Sequence, residues 1–403
     1  MRRSDTMIAA LVLAGLGLQA SPAGAIPAFA RKYRVTCSLC HAPAPRLNAF
    51  GEQFAANGFA FAPNAEPVDT IQTGDPLLVL PASVPLAFRV DAYLQALTEA
   101  ESGEARSDLG TPYAIKLLSG GPITSGVSYY LYFFLSEQGE VAGLEDAYIQ
   151  FTDLFGSGVA LLAGQFQVSD PLFKRELRLE FEDYQIYRVR VGETRADLTY
   201  DRGLMAVYSP WSGGDLSVQL LNGRGLTEAS EARQYDRDAW KNVALRYSHD
   251  LGPFRLGVFG YVGTEELDAV QNRFTLWGPD ATIALSPSIE VNLQYLRRKD
   301  DDPFYGEAGR PVETVVDGGF GEVVWGPGGP TGRVFLTGLV NWVRSDEPVF
   351  LVRQGESAAI EAYTSAAAGV SYLLQRNLRI LGEVQYDLER ERARMTTGVS
   401  VAF

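Results

Sequence analysis

The chain has 403 residues, and its 49 acidic side chains outnumber its 35 basic ones, which gives a formal net charge of −14 at pH 7. A negative surplus of this size argues against nucleic acid as a partner and favours cations or cationic proteins. Cysteine and histidine are scarce, with two of each, so nearly all soft-ligand chemistry is confined to one short stretch.

Residues 1–25 are predicted to be a secretory signal peptide. Arg2 and Arg3 form a positive start, residues 7–18 are apolar, and the small residues Ala23 and Ala25 mark a cleavage site before residue 26. Beyond this segment no run of about 18 or more apolar residues occurs, so no transmembrane helix is expected. If the mature chain spans a membrane, it must do so as a closed barrel.

Residues 26–82 are predicted to form a short, mainly helical haem-binding segment followed by a linker. Cys37, Cys40 and His41 stand at the spacing Cys-x-x-Cys-His, the attachment signature of haem c. In this motif the thiols form thioethers to the haem vinyl groups and the histidine is the proximal iron ligand. A redox dithiol or half of a zinc site is the alternative, but the first would need a βαβ surrounding and the second two more ligands. The sequence therefore predicts one covalent haem c.

A short helix is predicted over about residues 46–56, because Leu47, Phe50 and Phe54 recur at helical spacing. The segment is short for a free-standing cytochrome, so we expect it to complete its core by plugging the lumen of a barrel or closing its periplasmic mouth. Three basic residues near its start could pair with haem propionates, or could simply be solvated: Arg31, Lys32 and Arg34.

Residues 83–403 are predicted to form an all-β, porin-like, outer-membrane barrel. From about residue 84 the pattern has period two; for example, Val291 and Leu293 alternate with Asn292 and Gln294. An apolar face toward lipid and a polar face toward the lumen are typical of membrane barrels. The terminal aromatic Phe403 is typical of the assembly signal of such barrels, whereas the alternative is a soluble secreted β-protein.

The connections predict sixteen antiparallel transmembrane strands, joined by seven short turns and eight longer loops. The short turns are expected near residues 120–122, 156–158, 213–214, 252–253, 287–288, 326–329 and 375–377. The longer loops are expected near 98–111, 136–143, 167–194, 223–239, 264–272, 299–314, 343–358 and 389–392. An even count with short periplasmic turns fits a bacterial outer-membrane barrel.

The motif does not specify a sixth iron ligand. Strand parity places Met395 and His249 on the lipid face and Met205 on the lumen face. Met205 is therefore the candidate distal ligand, beside a ligand from the haem segment itself or an open sixth position. The same parity turns three aromatic residues inward, toward a plug, unless they belong to an interfacial girdle: Tyr130, Tyr132 and Phe134.

Four stretches resemble the monohaem cytochrome–porin fusions of iron-oxidising bacteria. They read Pro-Ala-Phe-Ala-Arg at 27–31, Cys-Ser-Leu-Cys-His at 37–41, Pro-Arg-Leu-Asn-Ala-Phe-Gly at 45–51 and Phe-Ala-Ala-Asn-Gly-Phe at 54–59. The resemblance implies electron transfer across the outer membrane, with extracellular Fe(II) as donor and a periplasmic c-type cytochrome or other redox protein as acceptor. It would make the chain an Fe(II) oxidase.

Acidic residues in the predicted loops are consistent with attraction of Fe(II), since carboxylates suit hard and borderline cations. They are Glu99, Glu101, Glu104, Asp108, Glu265, Glu266, Asp268, Asp300, Asp301 and Asp302. Exposed loops are also often acidic for solubility alone. Two other functions remain open from the sequence: a solute porin with a haem-bearing gate, and outward electron transfer to an extracellular acceptor.

Overall fold

The computed structural model describes residues 28–99, 105–267, 269–306, 309 and 311–403. The predicted signal peptide, Glu101, Glu104 and Asp268 lie outside the described residues, and so does the side chain of Glu99. No helix in the described ranges is long and apolar enough to cross a membrane.

Sixteen antiparallel strands of the described chain close into one barrel, which confirms the predicted count. They are labelled in chain order: β1 Leu86–Glu99, β2 Ala105–Thr124, β3 Val127–Glu137, β4 Gly143–Phe151, β5 Ala160–Gln167, β6 Tyr200–Trp211, β7 Gly214–Leu221, β8 Asn242–Leu251, β9 Phe254–Leu267, β10 Val270–Ser286, β11 Ile289–Asp300, β12 Thr314–Trp325, β13 Val334–Arg353, β14 Glu356–Gln375, β15 Leu378–Asp387 and β16 Arg392–Ala402. The ring closes between β16 and β1, where Ala402 pairs with Arg89. The ring of Phe403 stacks on Phe88 at this seam.

The two faces of the barrel differ as the alternation predicts. On β11, Leu293 is 42 % exposed on the outer face, whereas Asn292 and Gln294 are only 2 % and 4 % exposed on the inner face. Outward-facing apolar residues recur on many other strands, including Leu131, Leu245, Val258, Val340 and Val384. An outer apolar surface over an inner polar one is the pattern of a barrel surrounded by lipid.

Three predicted loops and one predicted turn are wrong. Residues 264–272 and 343–358 lie mostly in strands, because β9 and β10 are separated by two residues and so are β13 and β14. Most of the predicted loop 98–111 likewise lies in β1 and β2, and the predicted turn 120–122 lies inside β2, whose turn to β3 is at residues 125–126. These strands therefore run well beyond the expected turn positions. Polar composition cannot distinguish a loop from a strand that continues past the lipid into water, since both are solvated.

The connection between β5 and β6, residues 168–199, folds into the barrel. The Glu265 carboxylate accepts hydrogen bonds from the backbone N–H groups of Arg195 and Ala196, both at 2.9 Å. Glu383 does the same for Phe181 at 2.7 Å and Glu182 at 2.9 Å. Tyr187 and other side chains of this inward loop form a large apolar cluster with inward residues of the wall, among them Phe259, Phe320, Leu339 and Tyr363. The lumen is packed with protein at this level.

The segment before β1 contains the helices α1, Ala28–Tyr33, and α2, Ala49–Ala56. Helix α2 begins later than predicted because Asn48 caps it, its side chain accepting from the N–H of Gly51 at 2.9 Å. Leu47 precedes the helix and pairs with His41 in an isolated bridge. In the linker, Thr70–Ile71 pairs with Leu80–Pro81.

The N-terminal segment lies at the end of the barrel where the short turns are. Gln150 donates to the carbonyl of Ala56 at 2.6 Å, and Asn64 donates to Asp153 at 3.0 Å. The ring of Phe59 stacks on inward-facing Tyr130, with 5.1 Å between centroids. Residues 56–64 of the N-terminal segment are thus held against the inner wall and the turn after β4.

Candidate functional site

Cys37, Cys40 and His41 lie on a single tight turn. Residues Cys37–Leu39 form one turn of 3-10 helix, and the N–H groups of Cys40 and His41 both donate to the carbonyl of Cys37, at 3.2 and 3.0 Å. The two thiols are free and partly buried. Burial raises the pKa of both thiols, so they are protonated at pH 7. One turn therefore presents both sulfurs and the imidazole together.

The imidazole of His41 is oriented by backbone carbonyls. Its Nδ1 lies 3.0 Å from the oxygen of Pro45 and 3.2 Å from that of Arg46. Because a carbonyl oxygen can only accept, Nδ1 must carry the proton and Nε2 is left with its lone pair. Burial lowers the pKa of His41, which keeps the ring neutral at pH 7. A neutral imidazole with Nδ1 hydrogen-bonded is the usual state of a metal-binding histidine.

Helix α2 supports the turn from behind. A Cβ placed on Gly51 would lie 2.2 Å from the carbonyl oxygen of Cys40, so only glycine permits this approach. Asn48 also donates from its side chain to the carbonyl of Leu39 at 3.1 Å. Phe54 of the same helix is buried and packs edge-on against Phe29 and Tyr33. Contacts among these aromatic side chains therefore hold α2 and the Cys-x-x-Cys-His turn together within a short segment.

A cavity of about 310 Å³ opens beside the motif. The N-terminal segment contributes Cys37, Cys40, His41, Leu47 and Phe54 to its lining, and the inner wall of the barrel contributes Tyr130, Tyr148, Lys116, Arg89 and Arg379. The volume falls at the lower end of the range for cofactor pockets. Two thiols, an imidazole with a free Nε2 and an aromatic lining fit a covalent haem c, so the donor chemistry agrees with the sequence motif.

Arg46 attaches this site to the barrel wall. Its guanidinium pairs with Glu290 on β11 and with Glu322 on β12, the latter at 3.4 Å. Glu322 is fully buried and also accepts from Tyr184 and Asn292, both at 2.6 Å. The carbonyl of Arg46 is one of the two acceptors of His41 Nδ1. Sequence reasoning missed this residue, because the two carboxylates are more than 240 positions away.

The structure does not bring Met205 to the haem motif. Met205 faces inward as parity predicts and is only 5 % exposed, but it packs in the apolar cluster of the inward loop. It is not among the residues that line the cavity. Met395 is exposed on the outer face, and His249 lies against Tyr247 on that same face. Strand parity gave the correct face of these residues but no information on position along the barrel axis.

The three basic residues expected near the propionates do not line the cavity either. Arg31 donates to the backbone carbonyl of Leu86 at 2.7 Å, and Arg34 is exposed. The terminal nitrogen of Lys32 lies beside Gly121. The positive charges that line the cavity come instead from the barrel and from the inward loop.

The aromatic residues of β3 face inward as predicted. Tyr132 and Phe134 are 7 % and 2 % exposed, and Lys116 lies 4.2 Å from the ring centroid of Phe134. Tyr130 lies between Phe59 and Tyr148, with centroids at 5.1 and 5.5 Å. The alternative of an interfacial girdle is wrong for these three, because Tyr130 and Tyr132 line the cavity and Phe134 packs against Tyr132 and Ala114 inside the barrel rather than on the outer face.

Two of the acidic residues predicted to attract cations are structural. Asp300 is fully buried and pairs with Arg298 at 2.7 Å, and Glu265 anchors the inward loop. Asp302 is also buried, whereas Asp108 and Asp301 are exposed. No cluster of three or more His, Cys, Asp or Glu side chains within the described ranges could hold a metal ion. Their burial was not foreseeable from composition, because composition does not show which carboxylates pair with inward-facing groups.

Solved structures with a similar fold are porins and channels. An anion-selective porin from Comamonas acidovorans matches with a TM-score of 0.58 at 11 % identity, over 80 % of this chain and 99 % of the porin. OmpT of Vibrio cholerae, expressed in the outer membrane, gives a TM-score of 0.53 at 10 % identity over 81 % and 100 % of the two chains. The outer membrane channel DcaP of Acinetobacter baumannii gives 0.52 at 11 % over 80 % and 97 %.

These similarities define the class by its fold: a closed, antiparallel, porin-like barrel of sixteen strands. No protein-family model and no curated protein sequence matches the chain. Within that class, this chain carries a segment with the Cys-x-x-Cys-His turn at the short-turn mouth of the barrel.

Proposed function

We propose that the chain is an outer-membrane protein that transfers electrons through one covalent haem c. The observation that carries the proposal is the cavity lined by Cys37, Cys40 and His41, in which His41 presents Nε2 because Nδ1 donates to backbone carbonyls. Haem c, when bound, supplies a one-electron Fe(III)/Fe(II) couple. The outward apolar surface and the porin-like fold support a location in the outer membrane.

In this proposal the residues of the chain hold, orient and enclose the cofactor. Cys37 and Cys40 anchor it covalently, and His41 is the proximal ligand, held by the carbonyls of Pro45 and Arg46. Tyr130 and Tyr148 enclose it from the barrel side. The inward loop 168–199 fills the lumen beyond it, which excludes bulk water from that side of the site.

Extracellular Fe(II) is the proposed electron donor, and a periplasmic c-type cytochrome or other redox protein is the proposed acceptor. The long-loop end of the barrel carries exposed carboxylates, among them Asp301, Glu228 and Glu231. Their field would raise the local concentration of a divalent cation without binding it tightly. The cytochrome segment lies at the opposite, short-turn end, where a periplasmic partner could reach it.

A solute porin with a haem-bearing gate is the second candidate. The fold comparisons favour this function over electron transfer, because the similar structures are porins and channels. The packed lumen favours the first candidate, because 27 buried apolar side chains from the inward loop and the wall occupy space that a diffusion channel leaves to water. Outward electron transfer to an extracellular acceptor would use the same haem, with electrons moving from the periplasm to the cell surface.

Haem staining after denaturing electrophoresis tests the proposal. Protein made in a strain competent in cytochrome c maturation should keep its stain, and Cys37→Ala or Cys40→Ala should reduce or abolish it. His41→Ala should change the visible spectrum of the iron, because the proximal nitrogen is lost. Wild-type protein that folds in the outer membrane without any attached haem would contradict electron transfer and leave the porin function.

A further inference from the structure

Five cationic side chains line the cavity beside the haem motif, and most of them have an anionic partner. They are Arg89, Lys116, Lys174, Arg376 and Arg379. Arg89 pairs with Asp91 at 2.9 Å, Lys116 with Glu176 at 3.1 Å and Lys174 with Asp170 at 3.0 Å. The two remaining arginines form no ion pair with any residue that the structure describes.

Arg379 on β15 is the more deeply buried of these two arginines. It is 5 % exposed, and its guanidinium donates to one backbone carbonyl, that of Leu179, at 3.1 Å. Asp91 and Glu180 are within electrostatic reach, but neither forms an ion pair with it in the described chain, and the positive charge of Arg89 repels it. A buried guanidinium without a counter-ion is unfavourable, because most of its desolvation is left uncompensated.

Arg376 lies in the turn between β14 and β15 and is less buried than Arg379. It is partly exposed and donates to the carbonyls of Thr331 at 2.5 Å and Gly332 at 3.0 Å. Its charge reaches Cys37 and lowers the pKa of that thiol, although burial has the larger, opposite effect. Arg376 is therefore near the edge of the cavity where the thioethers would form.

We propose that Arg379 binds a carboxylate in this cavity, and that the carboxylate is a propionate of the haem c attached at Cys37 and Cys40. This inference rests on the proposed function. The vinyl and propionate groups lie on opposite sides of the porphyrin, so a haem attached at the thiols would have its carboxylates away from them, and Arg379 lines the same cavity as the two thiols. A guanidinium offers two parallel N–H donors that match a carboxylate.

An ion pair between Arg379 and a propionate would give each of the two charges a counter-ion. The propionate gives Arg379 the anion that the described residues do not supply, and Arg379 lets the carboxylate enter the barrel without remaining unpaired. It also gives the barrel a direct role in holding the cofactor. The sequence suggested basic residues of the N-terminal segment for this role, but those residues do not line the cavity.

The test compares Arg379→Gln with Arg376→Gln in the full-length, haem-loaded protein. Haem stain and the mobility of unheated protein in electrophoresis report attachment and barrel folding. Resonance Raman spectra report the propionate bending band, and redox titration gives the midpoint potential. Arg379→Gln should keep the haem, shift the propionate band and lower the midpoint potential, because a positive charge that favours the reduced haem is lost. Arg376→Gln should leave the propionate band unchanged.

Three results would overturn the inference. The first is an unchanged propionate band and potential in Arg379→Gln, and the second is the same band shift in both variants. The third concerns a free carboxylate as the ligand: if the haem-free variant Cys37→Ser/Cys40→Ser conducts acetate in a way that depends on Arg379, the site serves a solute.

A second variant covers the case in which Arg379→Gln does not fold. Arg379→Lys keeps the charge but has no planar pair of donors, so it should shift the propionate band while largely keeping the potential. An unchanged band in this variant would also count against the pairing. Wild-type protein without haem would instead remove the proposed function, which the stain reveals before any variant is compared.

Discussion

His41 is oriented by the protein backbone, and this makes its geometry dependent on the packing of a few neighbouring residues. Both acceptors of Nδ1 are carbonyls from the turn before α2, and α2 itself contacts the motif through Gly51. The motif residues were predictable because their spacing is chemically specific. The supporting contacts were not, since a glycine or an arginine carries no signal of what it touches.

Gly51→Ala is expected to weaken the haem site. The new Cβ would lie 2.2 Å from the carbonyl oxygen of Cys40, so α2 must move away from the motif. Overpacking of this kind costs about 1–3 kcal/mol. The ratio of Soret absorbance to protein concentration should fall, and the haem spectrum should melt at a lower temperature.

Gly338→Ala on β13 is the matched control for this substitution. No atom lies within 4 Å of the Cβ it would introduce, so haem content and melting should match the wild type. Full haem loading and unchanged melting of Gly51→Ala would show that α2 does not support the motif in this way.

At the scale of elements, two segments contact the inner wall of the barrel: the N-terminal segment, at the short-turn end, and the inward loop 168–199. The sequence predicted the first from its haem motif and treated the second as an external loop. It folds inward because Glu265 and Glu383 bind its backbone N–H groups and its apolar side chains pack against inward residues of the wall. The apolar side chains of a loop can be buried against lipid, against a partner protein or inside the loop's own barrel. The sequence does not show which, because the burial depends on tertiary contacts.

Deletion of residues 28–80 alone is therefore expected to leave ion conductance low. The N-terminal segment was expected to plug the lumen or close its mouth, but the apolar cluster of the inward loop would remain in place after this deletion. Deleting residues 170–196 as well should raise single-channel conductance in planar bilayers severalfold, because the side chains of the inward loop then no longer occupy the lumen.

Shortening the loop between β7 and β8 by residues 228–235, most of which are exposed, is the control for loop deletion itself. This change should not alter conductance. If deletion of residues 28–80 alone produces a large open pore, the inward loop does not close the lumen and the porin function gains support.

At the scale of the whole molecule, charge is distributed between the two ends of the barrel. Exposed carboxylates at the long-loop end would attract Fe(II), while the haem motif lies near the other end. We expect Fe(II) to reduce the haem of purified protein within seconds. Raising the ionic strength should slow this reduction, since the Debye length falls from about 10 Å at 0.1 M to about 3 Å at 1 M.

Neutralising the exposed carboxylates Asp301, Glu228 and Glu231 together should slow reduction by Fe(II) without changing the haem spectrum. Asp300 is unsuitable for this test, because its removal would leave Arg298 buried and unpaired. Neutralising Glu66, Asp69 and Asp75 in the exposed linker removes the same number of charges; this matched control should not slow reduction. Reduction by small organic reductants but not by Fe(II) would contradict the choice of iron as donor.

The sequence by itself determined the class of fold and the position of the Cys-x-x-Cys-His motif. Period-two alternation fixes which face of each strand a side chain occupies, and the turn signals give the number of strands, so sixteen strands and the inward faces of Tyr132, Phe134 and Met205 were predictable. The spacing of Cys37, Cys40 and His41 is equally local.

Only the tertiary structure shows where each side chain lies along the barrel axis and which residues it contacts. Met205 has the predicted face but lies in the apolar cluster, Asp300 is paired with Arg298, and Arg379 reaches the cavity from a strand more than 330 positions after His41. The physical reason is that alternation repeats every two residues and carries no information on depth. Contacts between distant segments are set by how the inward loop and the N-terminal segment pack against the inner wall.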